Sequence, residues 1–258
     1  MHPMQGGGGS IKRIVDVAAA LLVLALAMPL LAVAGLAIWL GDGGGPIYRA
    51  PRVGRGGRDF TMLKLRTMVA GADRLGGRLT PDSDPRVTRV GAWLRRCKID
   101  EFPQLWNVLR GEMSIVGPRP DLRQGGVDGY APGEMALLSV RPGITDFASI
   151  LFFDEGRLLD GARDPIEFYM AAVRPLKSRL GLLYVARRSL RVDLAIMGLT
   201  ALSLVARPAA LRGVARMLHA RGADADLVAI RGIDGQHGRE AAMRGRDEGP
   251  LLARPTAG

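Results

Sequence analysis

Cysteine and histidine are nearly missing from this sequence: 258 residues contain one cysteine, Cys97, and three histidines. A lone cysteine forms no intrachain disulfide, which fits a reducing compartment. So few soft ligands argue against a zinc site. Aromatic residues make up only 5%, and no nucleic-acid-binding motif is visible, so nucleic acid is not the expected partner. Acidic residues are also short, 25 against 36 Lys and Arg, leaving a net charge of +11. That excess points to an anionic partner such as a membrane surface or a phosphorylated substrate. No internal repeat is visible, and the length suits one domain with appendages.

What the sequence does have is a long apolar run. Val17 to Leu40 carries no charge, and as a helix it would run about 36 Å, enough for a hydrocarbon core of about 30 Å. Three readings compete. A secretory signal would explain Lys12 and Arg13 before the run and Ala32-Val33-Ala34 as a cleavage-like site, but the run continues unbroken through Trp39 and Leu40. Periodicity alone favours an ordinary spanning anchor. The third reading is a re-entrant helix that enters and leaves by one leaflet, with Pro29 breaking it near its middle. Before the run, Gly6-Gly7-Gly8-Gly9-Ser10 reads as a flexible linker, so residues 1–10 are expected to be flexible.

The chemistry concentrates in Lys98 to Pro120, KIDEFPQLWNVLRGEMSIVGPRP. Pro103 suits the first turn of a helix. Leu105, Trp106 and Leu109 then fall on one face, and Gly111 can end it. Asp100 and Glu101 precede this helix, where its N-terminal partial charge favours carboxylates and phosphate alike. A carboxylate beside a phosphate site is a metal ligand or a nucleophile. Arg119 is fenced by Pro118 and Pro120, which restrict its backbone and offer its guanidinium to a phosphate at low entropic cost. Taken singly, the acidic pair reads as a solvated cap and Pro-Arg-Pro as a stiff turn. Together they read as a phosphate site with a divalent cation. Upstream, FTMLKLRTM (60–68) reads as a strand that puts Lys64 and Arg66 on one face.

This block resembles the bacterial sugar transferases, the monotopic polyprenyl-phosphate glycosylphosphotransferases. The likeness lies in Asp100-Glu101-Phe102-Pro103-Gln104, then Leu105-Trp106-Asn107-Val108-Leu109, Gly111, Met113-Ser114 and Val116-Gly117-Pro118-Arg119-Pro120, in order and at the family spacing. Phe60-x-Met62-x-Lys64-x-Arg66-Thr67-Met68 and Arg141-Pro142-Gly143-Ile144-Thr145 extend it. The resemblance implies that a phosphosugar passes from a nucleoside diphosphate sugar, with uridine the expected nucleoside, to a polyprenyl phosphate. Asp100 would form a covalent phosphosugar intermediate with Glu101 assisting. Asp100 and Glu101 would hold Mg²⁺. Lys64, Arg66, Arg119 and Arg141 would bind phosphate. It also favours the re-entrant reading and a catalytic domain on the cytoplasmic face of the bacterial inner membrane, in contact with lipid, and leaves homo-oligomerisation open. Two departures stand out: Met28 replaces a serine common before the proline, and Asp146 to Asp164 departs from the usual continuation, so the donor sugar does not carry over. A non-catalytic, lipid-binding scaffold is the alternative, and it would need neither carboxylate.

Elsewhere, Gly41 to Gly57 reads as a loop near the head groups. Pro85 to Lys98 reads as a helix with Val90, Trp93, Leu94 and Cys97 inward and Arg95, Arg96 and Lys98 toward solvent or lipid. Short helices are expected at 132–139, 165–173 and 177–189, and a further apolar one at 190–205. Arg187, Arg188 and Arg191 form a basic cluster suited to anionic lipid. The tail from about Arg221 reads as disordered. The expected fold is α+β, a mostly helical catalytic domain (42–210) with a short strand element, on a re-entrant membrane helix (11–41).

Overall fold

The structure, a computed structural model, describes residues 8–76, 80–160, 164–224 and 227–228. It is an α+β fold dominated by helices, as the sequence predicts. The chain opens with α1 (Gly8–Asp42), which runs on through Pro29. The expected break at Pro29 does not occur. Gly8 to Ser10 are already helical, so the linker reading does not hold for them, while residues 1–7 lie outside the described residues.

A hairpin follows, β1 (Ile47–Val53) paired antiparallel with β2 (Asp59–Leu65), with Ile47 opposite Leu65 and Val53 opposite Asp59. β1 corrects the loop reading of 41–57. Its alternation is interrupted by Arg49, Pro51 and Arg52, which hid it, yet Ala50 and Val53 are buried. α2 (Arg89–Arg96) starts at Thr88, whose hydroxyl accepts the Gly91 N–H. A single 3₁₀ turn carrying Asp100 and Glu101 leads into α3 (Gln104–Arg110), which Gly111 ends in the left-handed conformation.

β3 (Ser114–Val116) and β4 (Gly143–Thr145) form a small parallel pair, Ser114 opposite Gly143 and Val116 opposite Thr145. Between them, 132–139 is a 3₁₀ helix. The remainder is helical: α4 (Phe147–Leu151), α5 (Glu155–Asp160), α6 (Pro165–Phe168), a π-helical turn (Tyr169–Val173), α7 (Arg174–Arg187), α8 (Leu190–Val205) and α9 (Arg207–His219). The main core joins α4, α7, α8 and α9 around Phe147, Ile150, Leu180, Tyr184, Ile196, Val214 and Leu218. The sequence reading has no helix at α9, and burial of Leu227 in the same core corrects the start of the tail assigned from Arg221. The rest of that tail lies outside the described residues.

α1 is tied to this domain along its length. Lys12 Nζ donates to Asp193 Oδ2 at 2.8 Å and to the Val116 carbonyl at 3.2 Å. Asp16 accepts from Ser114 Oγ and from the Ile115 N–H. Ala20 packs with Met62, Leu105 and Val108, and Ala34 and Ile38 pack with Leu65, Leu94 and Ile99. At the far end Asp42 takes both Arg66 guanidinium nitrogens, at 2.5 and 2.6 Å. Small residues on this face let the helix lie close, while Leu21, Leu22, Leu26, Val33, Leu36 and Leu40 stay exposed on the other.

Candidate active site

The two acidic residues are placed by α2 and α3 meeting at a tight corner. Lys98 follows the end of α2 with φ 57° and ψ 18°, and the 3₁₀ turn Ile99–Glu101 then swings both carboxylates off the helix axis before Pro103 starts α3. Asn107, fully buried, fixes α3 against the hairpin. Its Nδ2 donates to the Thr61 carbonyl and to Glu112 Oε2, and its Oδ1 accepts the Leu63 N–H. The far end of α3 is closed by cations. Arg13 donates to the Val108 and Leu109 carbonyls, and Arg141 Nε donates to the Gly111 carbonyl at 2.8 Å. These meet the orphan carbonyls of a helix end and its negative pole.

A cavity of about 550 Å³ opens beside the corner. Lys64, Arg66, Arg95, Lys98, Asp100 and Glu101 line it, and Phe153 and Asp154 form part of the opposite wall. The adjacent carboxylates have different surroundings. Glu101 is clamped: Arg119 spans both its oxygens at 2.7 and 2.9 Å, and Lys64 Nζ adds a third contact at 3.1 Å. Burial alone would raise its pKa, but the charges of Arg119 and Lys64 outweigh that and hold it well below the usual carboxylate range. Asp100 is 6% exposed and accepts no hydrogen bond from a described residue, and its Oδ1 is wholly buried. Burial pushes its carboxyl up from the ordinary value; Lys64 opposes this and Glu101 adds to it.

The predicted site residues therefore divide. Asp100, Glu101, Lys64 and Arg66 share the cavity, and Arg119 joins them through Glu101 while also donating to the Ile144 carbonyl. Arg66 is engaged with Asp42 and with the Gly45 carbonyl. Arg141 is not in the cavity; it sits at the opposite end of α3. Arg95 and Lys98, read from periodicity as facing solvent or lipid, turn into the cavity instead, and Arg95 Nε donates to Thr67 Oγ1 at 2.8 Å. For Lys98 the reason is that α2 ends on an irregular corner, so helical phase does not extend past Cys97; Arg95 lies inside α2 and is held toward the cavity by its bond to Thr67. Conversely Trp93, read as inward, is half exposed, and so is Trp106. Trp106 borders an apolar groove formed with Leu24, Leu31 and Pro103.

Among the described residues no cluster of three or more His, Cys, Asp or Glu could hold a metal. Of the acidic pair, Glu101 already forms ion pairs with two cations, whereas Asp100 forms none with a described residue. An ion such as Mg²⁺, which is content with one carboxylate plus substrate oxygens and water, fits Asp100 better than Glu101.

The chain is similar in sequence to several known proteins. The chain is 46% identical over 145 residues to the UDP-glucose:undecaprenyl-phosphate glucose-1-phosphate transferase of Caulobacter vibrioides, covering 54% of this chain and 53% of that protein. It is 45% identical over 145 residues to the undecaprenyl-phosphate glucose phosphotransferase of Komagataeibacter xylinus, covering 54% of this chain and 27% of the relative. It is 40% identical over 153 residues to the exopolysaccharide production protein ExoY of Rhizobium meliloti, covering 54% of this chain and 67% of the relative. The chain thus matches between 27% and 67% of the length of these curated relatives. The family model described as bacterial sugar transferase matches residues 8–207. With the match running from the first described turn of α1 to the start of α9, the chain belongs to the bacterial sugar transferase family.

Proposed function

We propose that this protein is a phosphoglycosyl transferase. It would move a sugar 1-phosphate from a nucleoside diphosphate sugar, with a UDP-sugar the expected donor, to a polyprenyl phosphate at the membrane. The observation that carries the reading is the unequal pair: one carboxylate clamped by two cations, its neighbour unclamped beside a cationic cavity. In the proposed first step an Asp100 oxygen bonds to the β-phosphorus while the bond from that phosphorus to the bridging oxygen breaks. Nucleoside monophosphate leaves with the electron pair. In the second step a polyprenyl phosphate oxygen bonds to the same phosphorus and the Asp100 carboxylate departs. Glu101, held ionised, fits a positioning role, fixing Arg119 and Lys64 where phosphate charge develops. Mg²⁺ would be held by Asp100 with diphosphate oxygens and water, and would supply charge neutralisation of the leaving group. The relatives named for undecaprenyl-phosphate and for exopolysaccharide production support the acceptor and the setting.

The test is release of nucleoside monophosphate from a panel of UDP-sugars with Mg²⁺ and polyprenyl phosphate, on wild type and Asp100→Asn. UMP from one or two sugars, lost by a factor of about 10³ or more in the variant, is expected. Activity persisting in Asp100→Asn would overturn the covalent role. The raised pKa of Asp100 also suits a general base in a direct displacement. A phosphosugar adduct on Asp100 by mass spectrometry separates the two routes.

A further inference from the structure

The cations that the sequence pattern offers to phosphate are largely occupied within the protein. Lys64 and Arg119 hold Glu101, Arg66 holds Asp42, and Arg141 lies away on the Gly111 carbonyl. Lys98 is different. It lines the same cavity as Asp100 and Glu101. Its Nζ donates to the Phe153 carbonyl at 3.1 Å and stands 4.6 Å from the centroid of that ring. No carboxylate of a described residue forms an ion pair with it. An ammonium has three donors, and the structure uses one of them, on a neutral acceptor. Phe153 is itself braced from α9, with the Arg207 guanidinium 5.0 Å over its ring and 3.3 Å from Asp154.

The backbone at Lys98 adds a second, independent observation. Among the described residues it is the one non-glycine with positive φ. It stands just past the end of α2, the position where glycine is the usual residue. A side chain there is sterically strained in a way that glycine is not. The lysine occupies a position that local stability would give to glycine, and it aims its ammonium into the cavity two residues before Asp100.

We propose that Lys98 is a binding residue for the diphosphate of the nucleotide-sugar donor, supplying beside Asp100 a positive charge that no carboxylate among the described residues holds in an ion pair. This rests on the phosphosugar-transfer reading. The competing role is a purely structural tether between the acidic corner and Phe153.

Glycine separates the two, because Lys98→Gly removes the ammonium and relieves the backbone at once. The measurements are UDP affinity by calorimetry on membrane-reconstituted protein with Mg²⁺, KM for donor and acceptor in the UMP-release assay, and thermal unfolding, for wild type, Lys98→Gly and Lys98→Arg. In Lys98→Gly, UDP Kd and donor KM are expected to rise about tenfold, the worth of one charge-assisted hydrogen bond. Acceptor KM should hold and the unfolding temperature should stay level or rise. Lys98→Arg should recover most of the donor affinity. An unchanged UDP Kd in Lys98→Gly, or a fall in unfolding temperature that Lys98→Arg does not repair, overturns the proposal. So does absence of UDP binding by wild type. If wild type releases UMP while Lys98→Gly binds UDP normally, only the role of Lys98 falls and the transferase reading stands.

Discussion

At the scale of single residues, the two adjacent carboxylates should report opposite effects on stability. Glu101 has a folded pKa below its ordinary value of 4.5, because Arg119 and Lys64 more than offset burial. Such a group stabilises the fold above the unfolded pKa and loses that contribution as pH falls through the folded one. Asp100 is the reverse. Burial lifts its folded pKa above 3.8, so the fold prefers the protonated form, and carrying the charge at neutral pH costs stability. Glu101→Gln should therefore unfold several degrees below wild type at pH 7, with the gap closing on acidification. Asp100→Asn should unfold at or above the wild-type temperature at pH 7, with its advantage vanishing below the ordinary carboxylate pKa. Thermal unfolding followed across pH checks both signs, and a destabilised Asp100→Asn would show that its charge is compensated in the fold. Removing Glu101 also strands two cations in a partly buried site, which adds to the cost.

Among elements, the small parallel pair β3–β4 is what delivers Arg119 to Glu101. Its strands approach so closely that a β-carbon on Gly143 would stand 2.1 Å from the Gly117 nitrogen and 2.3 Å from its carbonyl oxygen. Both neighbours are backbone and cannot swing aside. Gly143→Ala should cost about 3 kcal/mol, the upper range of overpacking effects, and should pull the Ile144 carbonyl away from Arg119. Unfolding of the variant measures the first effect, and loss of UMP release out of proportion to the folded fraction measures the second. This pair shows where sequence reading ran out. α1 and α8 are legible as apolar runs, and α2 and β2 from the spacing of their apolar residues. Asp100, Glu101 and Arg119 were legible from prolines and charge. β3 and β4 are three residues each, too short to show alternation, and the role of Asn107 depends on a long-range contact that no local pattern encodes. Periodicity misplaces Lys98 because helical phase does not carry across a corner that this one left-handed residue sets, and it misplaces Arg95 because the partner that turns it, Thr67, is distant in sequence.

For the molecule as a whole, the decisive feature is that both ends of α1 rest on one domain. A helix of this length measures about 52 Å, ample for a bilayer, and its composition alone would place its ends on opposite sides. Yet Lys12 is bound to β3 and α8, and Asp42 to Arg66 just after β2. Pulling the first end free would break a pair in which Asp193, 3% exposed, also accepts from Tyr184, and losing one partner of a buried pair costs about 3–5 kcal/mol. Four arginines, Arg49, Arg52, Arg55 and Arg58, follow the uncharged run from Val17 to Leu40, and Lys12 and Arg13, in the first turns of α1, precede it. Excess Lys and Arg flanking both ends of an apolar segment is the pattern of ends kept on the cytoplasmic side. The exposed leucine face of α1 would then lie in one leaflet with the cavity at the head-group level, as the proposed transfer between a soluble donor and a lipid acceptor requires. The prediction is made on a Cys97→Ser background with single cysteines placed at Ser10 and at Gly45, an exposed site with no atom near its would-be β-carbon. A membrane-impermeant maleimide should label both positions in inside-out vesicles and neither in intact cells. Labelling of one position from each side would show that α1 crosses the bilayer and that its contacts with the domain are not the membrane arrangement.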